Sequence, residues 1–116
     1  MERLLLARHG NGGDSLPKRI AIISEHASPL AAAGGIDSGG QNIYVAQVAR
    51  HLARLGYSID VFTRRDSAAL PEVLEWQPGV RVVHVPAGPP SFVRKEDLLP
   101  LMGDFAAYVR DRKSVV

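Results

Sequence analysis

The chain has 116 residues, enough for one domain with a sizeable core and too few for two ordinary ones. It holds no cysteine, which excludes disulfides and thiolate metal sites and fits a reducing, cytoplasmic setting. Its formal net charge of +2 comes from basic residues interleaved with acids, a solvated surface rather than a nucleic-acid-binding face. No apolar run approaches the roughly 18 residues of a membrane-spanning helix, so stable membrane insertion is not expected. The apolar stretch in Met1 to Arg8 is too short for a secretory signal.

Residues 1–17 carry little periodicity, and His9-Gly10-Asn11-Gly12-Gly13-Asp14-Ser15 is turn chemistry, so this stretch reads as a flexible leader ahead of a folded part at 18–116. Ile20-Ala21-Ile22-Ile23-Ser24 is short, continuous and rich in β-branched residues, the pattern of a strand buried on both faces. The connection from Glu25 to Gly39 is far longer than the usual βα loop of about 2–6 residues, and loops of that length in compact domains tend to be functional.

Gln41 to Leu55 places Val45, Val48, Ala49, Leu52 and Leu55 at the spacing of one helical face, and Gly56 suits the left-handed position after a helix end. Ser38, Gly39 and Gly40 are all candidates for its N-cap. Ser58 to Thr63 is a second strand, which completes a βαβ unit with a parallel sheet. Ala69 to Pro78, with the single tryptophan Trp76, has too weak a pattern for an element and reads as a connection. Val80 to Pro86 is a third strand with Arg81 and His84 on opposite faces. After Ala87-Gly88-Pro89-Pro90, a helix is predicted from about Leu99 to Arg112, with Pro100 as a break or a first-turn residue, and Lys113 to Val116 reads as the start of a further strand. The fold class is α/β, with a Rossmann-like parallel sheet.

Gly34-Gly35-Ile36-Asp37-Ser38-Gly39-Gly40-Gln41-Asn42 is the stretch with the most chemical content. Glycines let a backbone come close to a bound group, and a helix beginning there offers free N–H donors to an anion. A phosphate-binding P-loop needs Lys and then Ser or Thr after the last glycine, whereas Gly40 is followed by Gln41-Asn42. A dinucleotide fingerprint needs its glycines directly after the strand, and these come about fifteen residues later. What remains is a loop whose amides, together with Gln41 and Asn42, suit phosphate oxygens and sugar hydroxyls, or else a surface loop with a glycine cap.

Among the four histidines no metal-binding spacing occurs, so no metal site is expected. His26 stands just past the end of the first strand, where open α/β sheets bind ligands; a ligand contact and a structural hydrogen bond are equally consistent with that place. Arg64-Arg65, at the end of the second strand, occupies the position at which an NADP-linked reductase holds the 2′-phosphate, and keeps that alternative open. Arg94-Lys95-Glu96-Asp97 reads from composition as a solvated charge cluster.

Four blocks, Ile22 to Leu30, Asp37 to Val45, Asp60 to Arg65, and Ala87-Gly88-Pro89 with Arg94 to Leu98, resemble in order and spacing the amino-terminal part of the retaining GT-B glycosyltransferases. Within these the likeness is to the group that includes sucrose-phosphate synthase, sucrose synthase and the mycothiol-pathway glycosyltransferase. The resemblance implies a partial amino-terminal, acceptor-side domain of a two-domain enzyme that moves a sugar from a nucleotide sugar such as UDP-glucose to a sugar or sugar-phosphate acceptor, without a separate cofactor. Gly39 and Gly40 match glycines near the donor pyrophosphate and the acceptor, Gln41 and Asn42 match acceptor-contacting positions, and Lys95 matches a lysine that holds an acceptor phosphate. The same pattern places the donor-gripping residues in a second domain and a histidine near the reacting centre on a strand beyond this helix. No catalytic residue is therefore assigned in this chain, and by itself it is expected to be inactive. A non-catalytic binding module or a truncated gene product is the alternative.

Overall fold

A computed structural model describes residues 5–9, 18–26, 28, 30 and 40–113. Its elements are β1 (Leu5–His9), β2 (Arg19–Ile23), α1 (Gly40–Arg54), β3 (Ser58–Arg64), β4 (Val73–Gln77), β5 (Val80–Val85) and α2 (Met102–Lys113). The five strands form one sheet in the order β1-β2-β3-β5-β4. β2, β3 and β5 run parallel, and the two flanking strands are antiparallel to their neighbours. The sheet is thus a mixed, Rossmann-like one with a parallel centre.

The continuous apolar runs form the centre because both of their faces are covered. On one face Ile22, Ile59, Val61, Val80 and Val82 pack beneath Val45 and Ala49 of α1. On the other, Ala21, Phe62, Val83 and Val85 pack against Phe105 and Val109 of α2. Strand alternation distributes these residues, so a single residue's slip of register would turn each set to the wrong helix. Phe62 and Ile22 are fully buried, and each contributes roughly 1.5–3 kcal/mol through removal from water.

The helix over Gln41 to Leu55 is found one residue earlier at each end. Its close is a Schellman motif: Gly56 N–H donates to Ala53 O at 3.0 Å and Tyr57 N–H to Leu52 O at 3.2 Å, with Gly56 at φ 98°. Leu55, expected on the apolar face, instead follows the last helical residue and is 63% exposed.

Three further readings of the sequence change. Leu5–His9, placed in a flexible leader, pairs antiparallel with β2, from Leu5 opposite Ile23 to His9 opposite Arg19. An unpaired edge of β2 offers a row of backbone donors and acceptors, which is a partner that no local periodicity can reveal. The connection at Ala69 to Pro78 contains β4, the first arm of a hairpin that turns at Pro78-Gly79 into β5. A bulge between Glu75 and Gln77 interrupts its register, and that irregularity weakened the pattern. Trp76 packs on the α1 side, 4.9 Å beneath the Arg50 guanidinium. Lys113, expected to open a further strand, is the last residue of α2, and 114–116 lie outside the described residues.

A short 3-10 turn, Leu99–Leu101, carries Pro100 and leads directly into α2. Tyr108 of α2 donates its hydroxyl proton to Glu72, just before β4, and Arg112 comes within 3.7 Å of the same carboxylate. Among the described residues no helix is long and apolar enough to cross a membrane.

Candidate functional site

The parallel centre dictates where a cleft opens, since the ends of β2, β3 and β5 all point the same way and their following loops diverge. A cleft of about 340 Å³ lies at these carboxyl ends. Glu25, His26, Ser28 and Leu30 line it from the segment after β2, Thr63, Arg64, Asp66 and Leu70 from β3 and beyond, and His84 from β5. Asn42 contributes from the first turn of α1, and Phe92, Val93 and Leu98 close the remaining side.

Asn42 is 2% exposed, and its Nδ2 donates to Ser28 O at 2.9 Å. Ser28 in turn accepts the Leu30 N–H on its hydroxyl at 3.1 Å. The start of α1 is therefore tied to the segment leaving β2. His26 stands on that segment with Nδ1 3.7 Å from Glu25 Oε1. Glu25 is anchored through its backbone, whose carbonyl accepts the Arg64 N–H at 3.1 Å.

Of the residues singled out from the sequence, His26 and Asn42 meet in this cleft. Gly40 and Gln41 occupy the first turn of α1 beside Asn42, a turn that carries no acidic side chain. Gly39 lies outside the described residues. Lys95 opens an exposed 3-10 turn, Lys95–Asp97; it follows the lining residues Phe92 and Val93 but is not itself part of the lining.

The pair Arg64-Arg65, which suggested a 2′-phosphate site, does other work. Arg64 is 5% exposed and donates from Nε to Ala87 O at 2.7 Å, from Nη1 to Ser91 O at 2.9 Å and from Nη2 to Pro89 O. Burial lowers its pKa, with Asp66 acting in the opposite direction. Arg65 donates from Nε to Leu70 O at 3.1 Å and from Nη2 to Ala68 O at 2.9 Å. Both guanidiniums are engaged with backbone carbonyls, so they shape the loops at the rim of the cleft, and the reductase expectation loses its structural basis.

Gly88, inside the loop that Arg64 holds, sits at φ 74°, and a Cβ there would meet Leu101 Cδ1 at 2.7 Å. The left-handed backbone conformation favours glycine at this point, and any larger residue would also have to push the Leu101 side chain aside.

Sequence reasoning missed Thr63, Asp66 and His84 as parts of the lining. Thr63 and His84 are register partners on β3 and β5. Both are buried, at 2% and 1% exposure. The signal was present in a weak form, as two polar residues near the carboxyl ends of otherwise apolar strands, but it takes the pairing of β3 with β5 to bring them side by side. His84 Nδ1 lies 2.7 Å from Pro71 O. A carbonyl only accepts, so Nδ1 carries the ring proton. Burial pushes the His84 pKa below its ordinary value, and the imidazole is neutral. Among the described residues no group of three or more metal-binding side chains comes together.

The profile of the family described as Glycosyl transferase 4-like domain matches residues 39–116. Over 103 residues the chain is 48% identical to D-inositol 3-phosphate glycosyltransferase 1 of Catenulispora acidiphila, covering 89% of this chain and 24% of that protein. It is 47% identical over 95 residues to D-inositol 3-phosphate glycosyltransferase of Geodermatophilus obscurus, covering 82% and 21%. Among solved structures, sucrose-phosphate synthase from Thermosynechococcus elongatus superposes with a TM-score of 0.76 at 35% identity, over 81% of this chain and 24% of that one. The chain spans about a quarter of the length of the relatives it matches.

Proposed function

The chain belongs to the glycosyl transferase 4-like domain family, and from that premise we infer that it is the acceptor-binding portion of a retaining glycosyltransferase, which moves a sugar from a nucleotide sugar to a sugar or sugar-phosphate acceptor. The observation that carries this reading is the open cleft at the carboxyl ends of β2, β3 and β5, into which the start of α1 brings Asn42. Clefts of α/β sheets bind ligands at this edge, and a helix start without acidic residues favours an anionic group beside it.

The names of the relatives carry D-inositol 3-phosphate, a polyol with one phosphate, and the cleft lining offers the matching mixture of hydroxyl, amide and imidazole groups. Gly40, Gln41 and Asn42 meet the acceptor from the first turn of α1, and His26 meets it from the segment after β2. Gly39, which precedes Gly40 in the sequence, also meets it. Lys95, on the short turn Lys95–Asp97 that follows Phe92 and Val93, holds the phosphate by a charge-assisted hydrogen bond. The donor nucleotide sugar is bound mainly by the part of the relatives' length that this chain does not span, so the chain alone binds an acceptor without transferring to it.

Calorimetric titration of D-inositol 3-phosphate into the chain and into its Lys95→Ala variant tests the reading. The expected result is saturable binding that weakens roughly tenfold in the variant, the scale of one hydrogen bond to a charged group. Absence of binding by the wild-type chain overturns the acceptor role, and equal affinity removes Lys95 from the site.

A further inference from the structure

His84 has one ring nitrogen fully accounted for and one that is not. Its backbone N–H donates to Glu72 O at 2.7 Å and Nδ1–H to Pro71 O at 2.7 Å, so the segment that leads into β4 fixes both the ring plane and the tautomer. In this tautomer Nε2 is a lone-pair acceptor. It is buried and has no hydrogen-bond partner among the described residues. A buried acceptor left in this condition is costly, and native proteins seldom tolerate one without a purpose. The ring belongs to the lining of the cleft, with Thr63 as its cross-strand neighbour and Asn42 also in the lining.

We propose that His84 Nε2 is a specificity-determining acceptor for a hydroxyl group of the bound sugar or polyol, a role that rests on the acceptor-binding reading above. The chemistry follows from the tautomer. A nitrogen lone pair rewards an O–H or N–H donor and opposes a group that presents only lone pairs, such as a carboxylate or a doubly ionised phosphate. His84 therefore directs a hydroxyl-bearing face of the ligand toward the ends of β3 and β5 and keeps the phosphate away from them.

Two substitutions separate this role from the structural one. In His84→Asn the side-chain amide N–H replaces Nδ1–H toward Pro71 O, while nothing stands where Nε2 was. In His84→Gln the longer amide reaches the Nε2 position with an acceptor oxygen and gives up the bond to Pro71. Binding of D-inositol 3-phosphate is expected to be weakened about three- to tenfold by Asn and to be close to wild type with Gln, whereas thermal stability follows the opposite order. A purely structural His84 would make affinity follow stability in both variants, and that result overturns the proposal.

A measurement on the wild-type chain does not depend on the variants' folding. With 15N-labelled histidine, the Nε2 resonance of His84 is expected to move when D-inositol 3-phosphate saturates the chain, while Nδ1 keeps its proton. An unmoved Nε2 in a chain that binds the ligand overturns the role of His84 and leaves the acceptor-binding reading standing. Failure of the wild-type chain to bind overturns both.

Discussion

Arg64, at the end of β3, donates from Nε to the buried carbonyl of Ala87 at 2.7 Å, and this bond fixes the loop that follows β5 against the neighbouring strand. Two further donors of the same guanidinium reach Pro89 O and Ser91 O. The planar fork satisfies three carbonyls from one buried side chain, and Phe92 and Val93, immediately after this loop, become a wall of the cleft.

Arg64→Met keeps the length of the side chain and removes every donor. It is expected to destabilise the chain by about 3 kcal/mol, since charge-assisted hydrogen bonds are lost and Ala87 O stays buried. Arg64→Lys recovers little, because one ammonium cannot span three carbonyls. Urea unfolding checks the loss, and faster amide exchange at 87–93 in Arg64→Lys checks its location.

Asp60 and Arg81 are cross-strand partners on the α2 side of the sheet, joined by two hydrogen bonds of 2.8 and 3.0 Å. Arg19 Nη1 lies 3.8 Å from the same carboxylate, whose side chain is only 3% exposed. The Asp60 hydrogen bond is the main reason the Arg81 pKa is raised. Arg81→Met leaves a buried carboxylate with a weakened set of partners, and a loss of about 2 kcal/mol is expected, reduced from the full buried-pair value because Arg81 is partly exposed. The double variant Asp60→Leu, Arg81→Met is expected to be more stable than the single Arg81→Met variant. Denaturant midpoints at unchanged m-value measure both.

The neutral state of His84 carries a pH dependence whose sign can be worked out. Burial is the main influence and lowers its pKa from 6.5; Arg65 adds to this, while the Pro71 hydrogen bond and Asp66 act in the opposite direction. The unfolded chain therefore takes up a proton near that value which the folded chain refuses. Stability falls as pH drops below 6.5 and levels off below the folded value. His84→Asn removes this component, so between about pH 7 and about pH 5 the variant is expected to lose less stability than the wild-type chain. Thermal unfolding across that range decides the point; parallel curves for the two proteins contradict it.

Much of the fold was legible because it is local. Ile20 to Ile23, Ser58 to Thr63 and Val80 to Val85 are continuous apolar runs, and the helix over Gln41 to Leu55 announces itself by spacing and by Gly56. Order and spacing of short blocks also disclosed the family, and the end of the first strand and the start of the helix put His26 and Asn42 at the edge where the cleft opens. What is periodic within one element, or fixed by a backbone rule such as a left-handed glycine, the sequence determines by itself.

Only the tertiary structure decided which polar residues act together. Leu5–His9 becomes a strand because β2 has an edge to offer, and β4 tolerates a bulge because its hairpin with β5 tolerates it. Arg64 and Arg65 looked available for a phosphate, but backbone carbonyls occupy both, those of the loop after β5 for Arg64 and those of the next few residues for Arg65. For His84 the sequence offered only a face of a strand, and its register with Thr63 and its bond to Pro71 make it a residue of the cleft lining with a buried, unmet nitrogen. The physical reason for β1, Arg64 and His84 is that the partner lies many residues away in the chain, and partnership at that distance leaves no periodic trace.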